Sequence, residues 1–335
     1  MEDGKPWAAL SGRRILVTGA TGFIGANLIR VLAEAGLRCR ALVRPGSRRE
    51  ILAPWAESVE LVVGDARDLA SLLAACEGIE VCLHAAGSND MSLTQPELRQ
   101  ILVPATSNVL EACNRQGVRK VVSISSCETL GASASPGQLM TERASYDPGN
   151  DGLLFAAPYH EVEEIVAGHV ARGLDVSLVN LLYVMAPGDR GQLFDGILRM
   201  GWLGVALGGG FSLSLIDGVV DALLTAAVRG GPGERYMVAG ENVTYQAFTR
   251  GLRRAAGRNG PVLRVPDALA RAVARLPVVP RQTREVLNYA GKYLYYDCGK
   301  ARDVLGYQVP PLERVIEEVL HGTPRIPPRA HRKAA

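Results

Sequence analysis

The residues best suited to chemistry stand near the start of the chain, in Thr18-Gly19-Ala20-Thr21-Gly22-Phe23-Ile24-Gly25. Glycines at this spacing suit a diphosphate. Gly19 allows a tight turn, Gly22 lets the main chain approach a pyrophosphate, and Gly25 lets a helix pack closely on a sheet. Just before them runs Ile15-Leu16-Val17, an apolar strand-like segment. Just after them, Ala26 to Ala35 carries apolar residues at helical spacing and stops at Gly36. The loop thus sits where a buried strand turns into a helix, whose N-terminus offers free N–H groups and a positive dipole end to phosphates. That context separates a dinucleotide fingerprint from an ordinary glycine-rich turn. Thr21, Phe23 and Ile24 lie inside the loop and join its glycines as candidate cofactor contacts.

Strand and helix signals alternate after this unit. Strands are expected at 38–43, 59–63 (ending at Gly64-Asp65), 79–83 (ending at His84-Ala85-Ala86-Gly87), 118–124 and 174–182. Helices are expected at 98–115, disturbed near Pro104, and at 159–172 after Pro158. Such alternation means a parallel sheet covered by helices on both faces, with ligands outside the carboxyl ends of its strands. The fold expected is therefore α/β, a Rossmann-type doubly wound parallel sheet over residues 12–184. A smaller substrate-binding lobe follows over 185–321, with helix-like stretches at 218–228, 245–256, 266–276 and 311–320 and some segments returning to the core. The Pro/Arg-rich tail 322–335 reads as disordered.

A chain of 335 residues, 47% hydrophobic and 21% charged, has the composition of a soluble globular protein. A net charge of +3 gives no argument for nucleic acid or an anionic membrane. The segment 201–228 is broken by glycines and by Asp217 and Asp221, so no membrane span is read there. The six cysteines form no C-x-x-C pair, which points to reduced thiols and no metal site. The first fourteen residues lack a signal-peptide pattern, and the expectation is a cytoplasmic protein with a small-molecule substrate.

Taken together these segments resemble the extended short-chain dehydrogenase/reductases, the NAD-dependent epimerase/dehydratase family, and within it the dihydroflavonol-reductase-like group with the hopanoid-associated sugar epimerases. The resemblance runs from Arg14 to about Leu320. It rests on the Thr18–Gly25 loop, Ala41–Ser47, Gly64-Asp65, His84-Ala85-Ala86, Asn108–Ala112, Val121–Ser126 with Gly131, Pro187-Gly188-Asp189, Gly233–Tyr236 and Leu305-Gly306-Tyr307. It implies that Asp65 and Ala66 touch adenine, and that Ala85, Ala86 and Gly87 line the ribose and pyrophosphate side. NAD-selective members carry an acid at the end of the second strand. Here Arg44 stands there, with Arg48 and Arg49 behind it, and a guanidinium suits a 2′-phosphate. NADP(H) is therefore favoured over NAD(H). The resemblance also implies a homodimer.

The family pairs a Ser or Thr with a Tyr and a Lys four residues on, the lysine lowering the tyrosine pKa. By resemblance Ser126 and Tyr159 hold the first two places. The third is Glu163, and residues 159–170 contain no lysine. A glutamate on the same helical face would repel a phenolate and raise the tyrosine pKa. Alternatively Glu161, Glu163 and Glu164 are only a solvated helix face. Three functions stay open. The first is an atypical ketoreductase-like oxidoreductase with another proton route, acting on a hydrophobic, aromatic or polycyclic ketone or alcohol. The second is a nucleotide-binding isomerase, lyase or cyclase with Glu128, Glu163 or His160 as base. The third is a non-catalytic binding protein on the same fold. The hydrophobic substrate is inferred from Phe194, Ile197, Leu198, Met200, Trp202, Leu203, Val205, Leu207 and Phe211, with only Arg190 and Arg199 near them to grip a diphosphate.

Overall fold

In the computed structural model, which describes residues 4–147 and 152–326, the glycine loop joins an interior strand of a seven-stranded parallel sheet to the first α-helix. The first half of the chain contributes β1 (Ile15–Thr18), α1 (Phe23–Glu34), β2 (Cys39–Val43), β3 (Val59–Val63), α2 (Leu69–Cys76), β4 (Val81–His84), α3 (Gln95–Arg115), β5 (Lys120–Ser126), α4 (Ala156–Ala171) and β6 (Val176–Leu181). The second half contributes β7 (Tyr183–Met185), α5 (Gly191–Arg199), β8 (Gly204–Ala206), β9 (Gly210–Leu215), α6 (Ile216–Arg229), β10 (Arg235–Val238), β11 (Glu241–Thr244), α7 (Tyr245–Ala255), β12 (Val262–Arg264), α8 (Asp267–Ala274), α9 (Arg281–Asn288), α10 (Gly299–Leu305) and α11 (Leu312–His321).

The sheet order is β10-β6-β5-β4-β1-β2-β3, so the chain reverses direction across the sheet between β1 and β4. A crevice opens at such a switch point, beyond the carboxyl ends of the strands. β1, β4 and β6 are buried along their whole length, as both-face cover requires. One core joins the sheet to α1, α6 and the lobe, and the other joins it to α2, α3 and α4. α3 opens on a capping box, Thr94 with Glu97, and runs unbroken through Pro104. α4 begins at Ala156 and takes Pro158 into its first turn, where the missing N–H costs no helical bond.

Two elements of the second half pack with the main sheet. β10 extends the main sheet beside β6, and α6 lies on the sheet beside α1. Smaller sheets, β11-β9-β7 and β12-β8, carry the rest. Within the tail expected to be disordered, Arg325 pairs with Asp217 of α6 at 2.9 Å and Ile326 packs on the core, so an ion pair and an apolar contact hold its start. Residues 327–335 lie outside the described residues.

Candidate active site

The loop after β1 and the loop after β4 meet at the crevice. Gly19 has φ +66°, and a Cβ there would lie 2.5 Å from the Ala85 carbonyl oxygen. A Cβ on Gly25 would strike the Gly19 carbonyl, so α1 can approach the loop only because that atom is missing. Gly22, the N-cap of α1, provides no side-chain cap, which leaves N–H groups of the first turn for an anion. Thr21, Phe23 and Ile24 are half-buried around it, as are Ala85 and Ala86, while Gly87 is exposed. Arg44 is exposed at the end of β2, its carbonyl closed into a turn by the Ser47 hydroxyl at 2.8 Å. Asp65 follows β3. The hydrogen bond from the Arg67 guanidinium, first among the causes, holds its carboxyl below the usual range, and Arg44 adds to this. Ala66 beside it is buried. An uncapped helix, a cradle that a Cβ would fill and a guanidinium at the end of β2 fit a dinucleotide.

Ser126 ends β5, and its Oγ accepts from the Glu128 N–H at 3.2 Å. Tyr159 sits in the first turns of α4, against Phe155, Met91 and Leu93 in a cluster with Leu98, Leu102, Leu154 and Val162. A Cβ on Gly87 would lie 3.4 Å from the Tyr159 hydroxyl, so this side chain reaches the loop after β4. Burial pushes its pKa up to about 12, with the Glu128 carboxylate as the second cause.

Glu163 behaves differently from either sequence expectation. It is neither a solvated face nor the charge that disturbs Tyr159. Its Oε1 accepts from Ser125 Oγ at 2.6 Å, Asn180 Nδ2 at 2.7 Å and Thr129 Oγ1 at 3.1 Å, and its Oε2 faces Arg235 Nη1 at 3.3 Å. The carboxylate is drawn inward because hydroxyls and an amide at the ends of β5 and β6, with an arginine on β10, satisfy it there. Its neighbours do lie outside: Glu161 pairs with Arg99 at 2.6 Å, and Glu164 is exposed. His160 stacks on Tyr146, with ring centroids 4.1 Å apart, and its Nε2 lies 3.6 Å from the exposed Glu164 carboxylate.

The titratable centre is Glu128, buried to 3% exposure. Its Oε2 accepts from the Phe155 N–H at 2.9 Å, at the head of α4, and its Oε1 from the Tyr289 hydroxyl at 2.8 Å. Desolvation dominates and pushes its pKa up to about 7. Tyr183, Tyr289 and Lys292 feel its charge as well. Tyr289 and Lys292 come from a stretch that sequence reasoning missed. A signal was present, since Tyr289, Tyr293, Tyr295 and Tyr296 crowd four of the ten tyrosines into eight residues.

The apolar list expected to line a substrate pocket divides otherwise. Phe194 and Phe211 are fully buried in an aromatic core with Phe248, whereas Trp202, Leu203 and Val205 face outward. Arg190 and Arg199 are exposed. Cys127 is buried, donates to the Asn180 carbonyl, and has its pKa raised by desolvation, as an inert thiol would.

Comparison with known proteins follows this geometry. The NAD dependent epimerase/dehydratase family matches residues 15–206. Sterol demethylase protein B of Methylococcus capsulatus is 33% identical over 266 residues, covering 78% of this chain and 80% of that protein. The 4-hydroxy-2-methyl-3-oxo-4-farnesyl-3,4-dihydroquinoline-1-oxide ketoreductase of Stigmatella aurantiaca is 27% identical over 312 residues, covering 88% and 91%. The crystal structure of gox2253 superposes with a TM-score of 0.78 at 27% identity, covering 93% of this chain and 98% of that one.

Proposed function

Because the chain belongs to the NAD dependent epimerase/dehydratase family and is an enzyme of the NAD(P)-dependent oxidoreductase type, we propose that it interconverts a hydrophobic, aromatic or polycyclic ketone and its alcohol, with NADP(H), and that Glu128 handles the proton. The observation that carries this reading is the buried Glu128 carboxyl, held between the head of α4 and the Tyr289 hydroxyl. Tyr159, with no lysine beside it and a pKa pushed up to about 12, stays a neutral phenol at physiological pH. It can donate a hydrogen bond to a substrate oxygen. A carboxyl with a pKa of about 7 is matched to the operating pH of a general acid.

In the reducing direction the Glu128 proton passes to the substrate oxygen while the carbonyl carbon takes up hydride, and Tyr159 and Ser126 orient that oxygen. The bound dinucleotide supplies the hydride. The Gly19–Gly25 loop and the head of α1 hold its pyrophosphate, Asp65 and Ala66 flank the adenine, and Ala85 to Gly87 line the ribose side. The exposed Arg44 guanidinium supports a 2′-phosphate, hence NADP(H) over NAD(H). Met91, Leu93 and Phe155 around Tyr159 support an apolar substrate, as does the farnesylated quinoline ketone in the name of the Stigmatella relative.

The test begins with NADPH and NADH titrations, then follows NADPH consumption with a panel of apolar ketones. NADPH is expected to bind at least about tenfold tighter. Reduction should be constant below pH 7 and fall above it as Glu128 loses its proton. Glu128→Gln should cost about a hundredfold in kcat/KM and remove that limb, with Tyr159→Phe costing less. An unchanged pH limb in Glu128→Gln would sink the proton assignment. Conversion of substrate with no change in the nucleotide would favour the isomerase or lyase reading, and absence of binding by either nucleotide would end the redox proposal. Sedimentation velocity tests the homodimer that the family resemblance implies.

A further inference from the structure

The small net charge averages over two unequal parts. Residues 250–284 hold nine arginines and one acid, Asp267, so the rest of the chain is net acidic. Six of the nine have local partners: Arg253 is buried and donates to the Gly201 and Trp202 carbonyls, Arg264 pairs with Asp267 at 3.1 Å, Arg281 pairs with Glu285 at 3.4 Å, and Arg258, Arg271 and Arg284 donate to main-chain carbonyls. Arg250, Arg254, Arg258, Arg271, Arg275 and Arg281 are exposed. The elements that carry or adjoin them also hold apolar side chains in water. Trp202 is 76% and Val278 83% exposed, and Val205, Leu263, Leu269 and Leu276 are exposed as well. Val205 and Leu263 are register partners in the β8–β12 pair and share one outer face. Single apolar residues on a surface need no explanation, but a tryptophan and five aliphatic side chains on neighbouring elements among arginines do.

We propose that this face, made by the β8–β12 pair, α8 and the α8–α9 turn, docks on an anionic lipid bilayer. Guanidinium groups meet the lipid phosphates. Trp202 and the aliphatic side chains enter the boundary between headgroups and acyl chains, where an indole is at home. A second copy of the chain is a poor occupant, since a twofold contact would set the arginine face against itself. A nucleic acid would meet leucine and valine where base readout or stacking needs polar and aromatic groups. No helix among the described residues is long and apolar enough to cross a membrane, so the contact is peripheral.

Helix α9, which follows the α8–α9 turn, borders the candidate active site. Tyr289, directly after α9, donates to Glu128, and Arg281, at the start of α9, donates to the Leu93 carbonyl in the loop after β4. Docking would therefore set one wall of the site against the lipid, and a lipid-soluble ketone would enter without crossing water. The docking stands independently of the proposed substrate.

Trp7 is buried and Trp55 half-buried, so a change in emission on adding vesicles reports mainly Trp202. Full-length protein is mixed with phosphatidylcholine vesicles, with and without phosphatidylglycerol, and followed by sedimentation and emission. The protein should sediment with the anionic vesicles only, its emission shifting to the blue. Arg254→Glu with Arg275→Glu should lower partitioning at least about tenfold while leaving the melting temperature unchanged. Trp202→Phe should abolish the blue shift and keep most of the binding. Protein that stays in the supernatant with both vesicles overturns the proposal. So does equal binding by the charge-reversed variant, or tighter binding to duplex DNA than to the vesicles at the same salt.

Discussion

Glu128 and His84 are both buried, and burial moves their pKa values in opposite directions. Glu128 is raised from 4.5 to about 7, and His84, held between the Thr18 and Thr106 hydroxyls, is lowered from 6.5 to about 4. Between pH 4.5 and 7 the folded chain keeps a Glu128 proton that the unfolded chain has lost, so this group's contribution falls as pH rises. Between pH 6.5 and 4 the unfolded chain holds a His84 proton that the folded chain refuses, so that contribution falls as pH drops. The two slopes oppose each other over most of one window. Glu128→Gln removes the first and leaves the second exposed. The stability of Glu128→Gln relative to wild type should therefore rise by roughly 3 kcal/mol from pH 4.5 to 7, measured by urea unfolding at several pH values. A difference that is flat with pH would mean that the carboxyl is solvated and ordinary.

Helix α4 carries the departure from the family, and its energetics follow from what Glu163 touches. The carboxylate ties α4 to β5, β6 and β10 through Ser125, Asn180 and Arg235. Glu163→Lys would restore the family residue in name but would remove that acceptor and set a second cation against Arg235. It should destabilise by about 3–5 kcal/mol and give no gain in NADPH affinity, whereas Glu163→Gln, which keeps the shape, should cost about 1–2 kcal/mol. Urea midpoints and nucleotide titrations of both variants check this. A stable Glu163→Lys with tighter NADPH binding would show that α4 adopts the family's pose after all. None of this could be read from the helix sequence, because Arg235 stands 72 residues away and Tyr289 stands 161 from Glu128. The sheet, by contrast, was legible, since its first six strands are short segments rich in Val, Leu and Ile between glycine or polar turns, and the glycine loop states its own geometry. The three-residue strands β7, β8 and β12 escaped, having too few residues to set a period and being held by partners far along the chain. The Phe194 to Phe211 stretch misled because apolar composition does not say whether a side chain faces a core, a pocket or solvent.

Across the whole molecule the second half of the chain completes the first. α6 buries Ile216, Val219, Val220, Leu223 and Leu224 on the sheet, a loss on the order of 10 kcal/mol of transfer free energy if it were removed. That is as large as the net stability of a typical domain. β10 covers the edge of β6, and Trp7 packs near α6 while its indole donates to Asp221 at 3.2 Å. The lobe reaches back again through the hydroxyl of Tyr296 to the Gly131 carbonyl at 2.9 Å and through that of Tyr289 to the Glu128 carboxylate at 2.8 Å. A boundary at residues 184 and 185 therefore marks a change of sequence character and leaves both sides dependent on shared packing. The full chain should unfold in one cooperative transition, with tryptophan emission and near-ultraviolet circular dichroism giving the same midpoint, and NADPH should raise that midpoint as one unit. A fragment of residues 1–184 should fail to fold, since the face that α6 covers would stand open to water. If that fragment instead melted cooperatively and bound NADPH, the nucleotide-binding half would be an autonomous domain and the lobe an attachment to it.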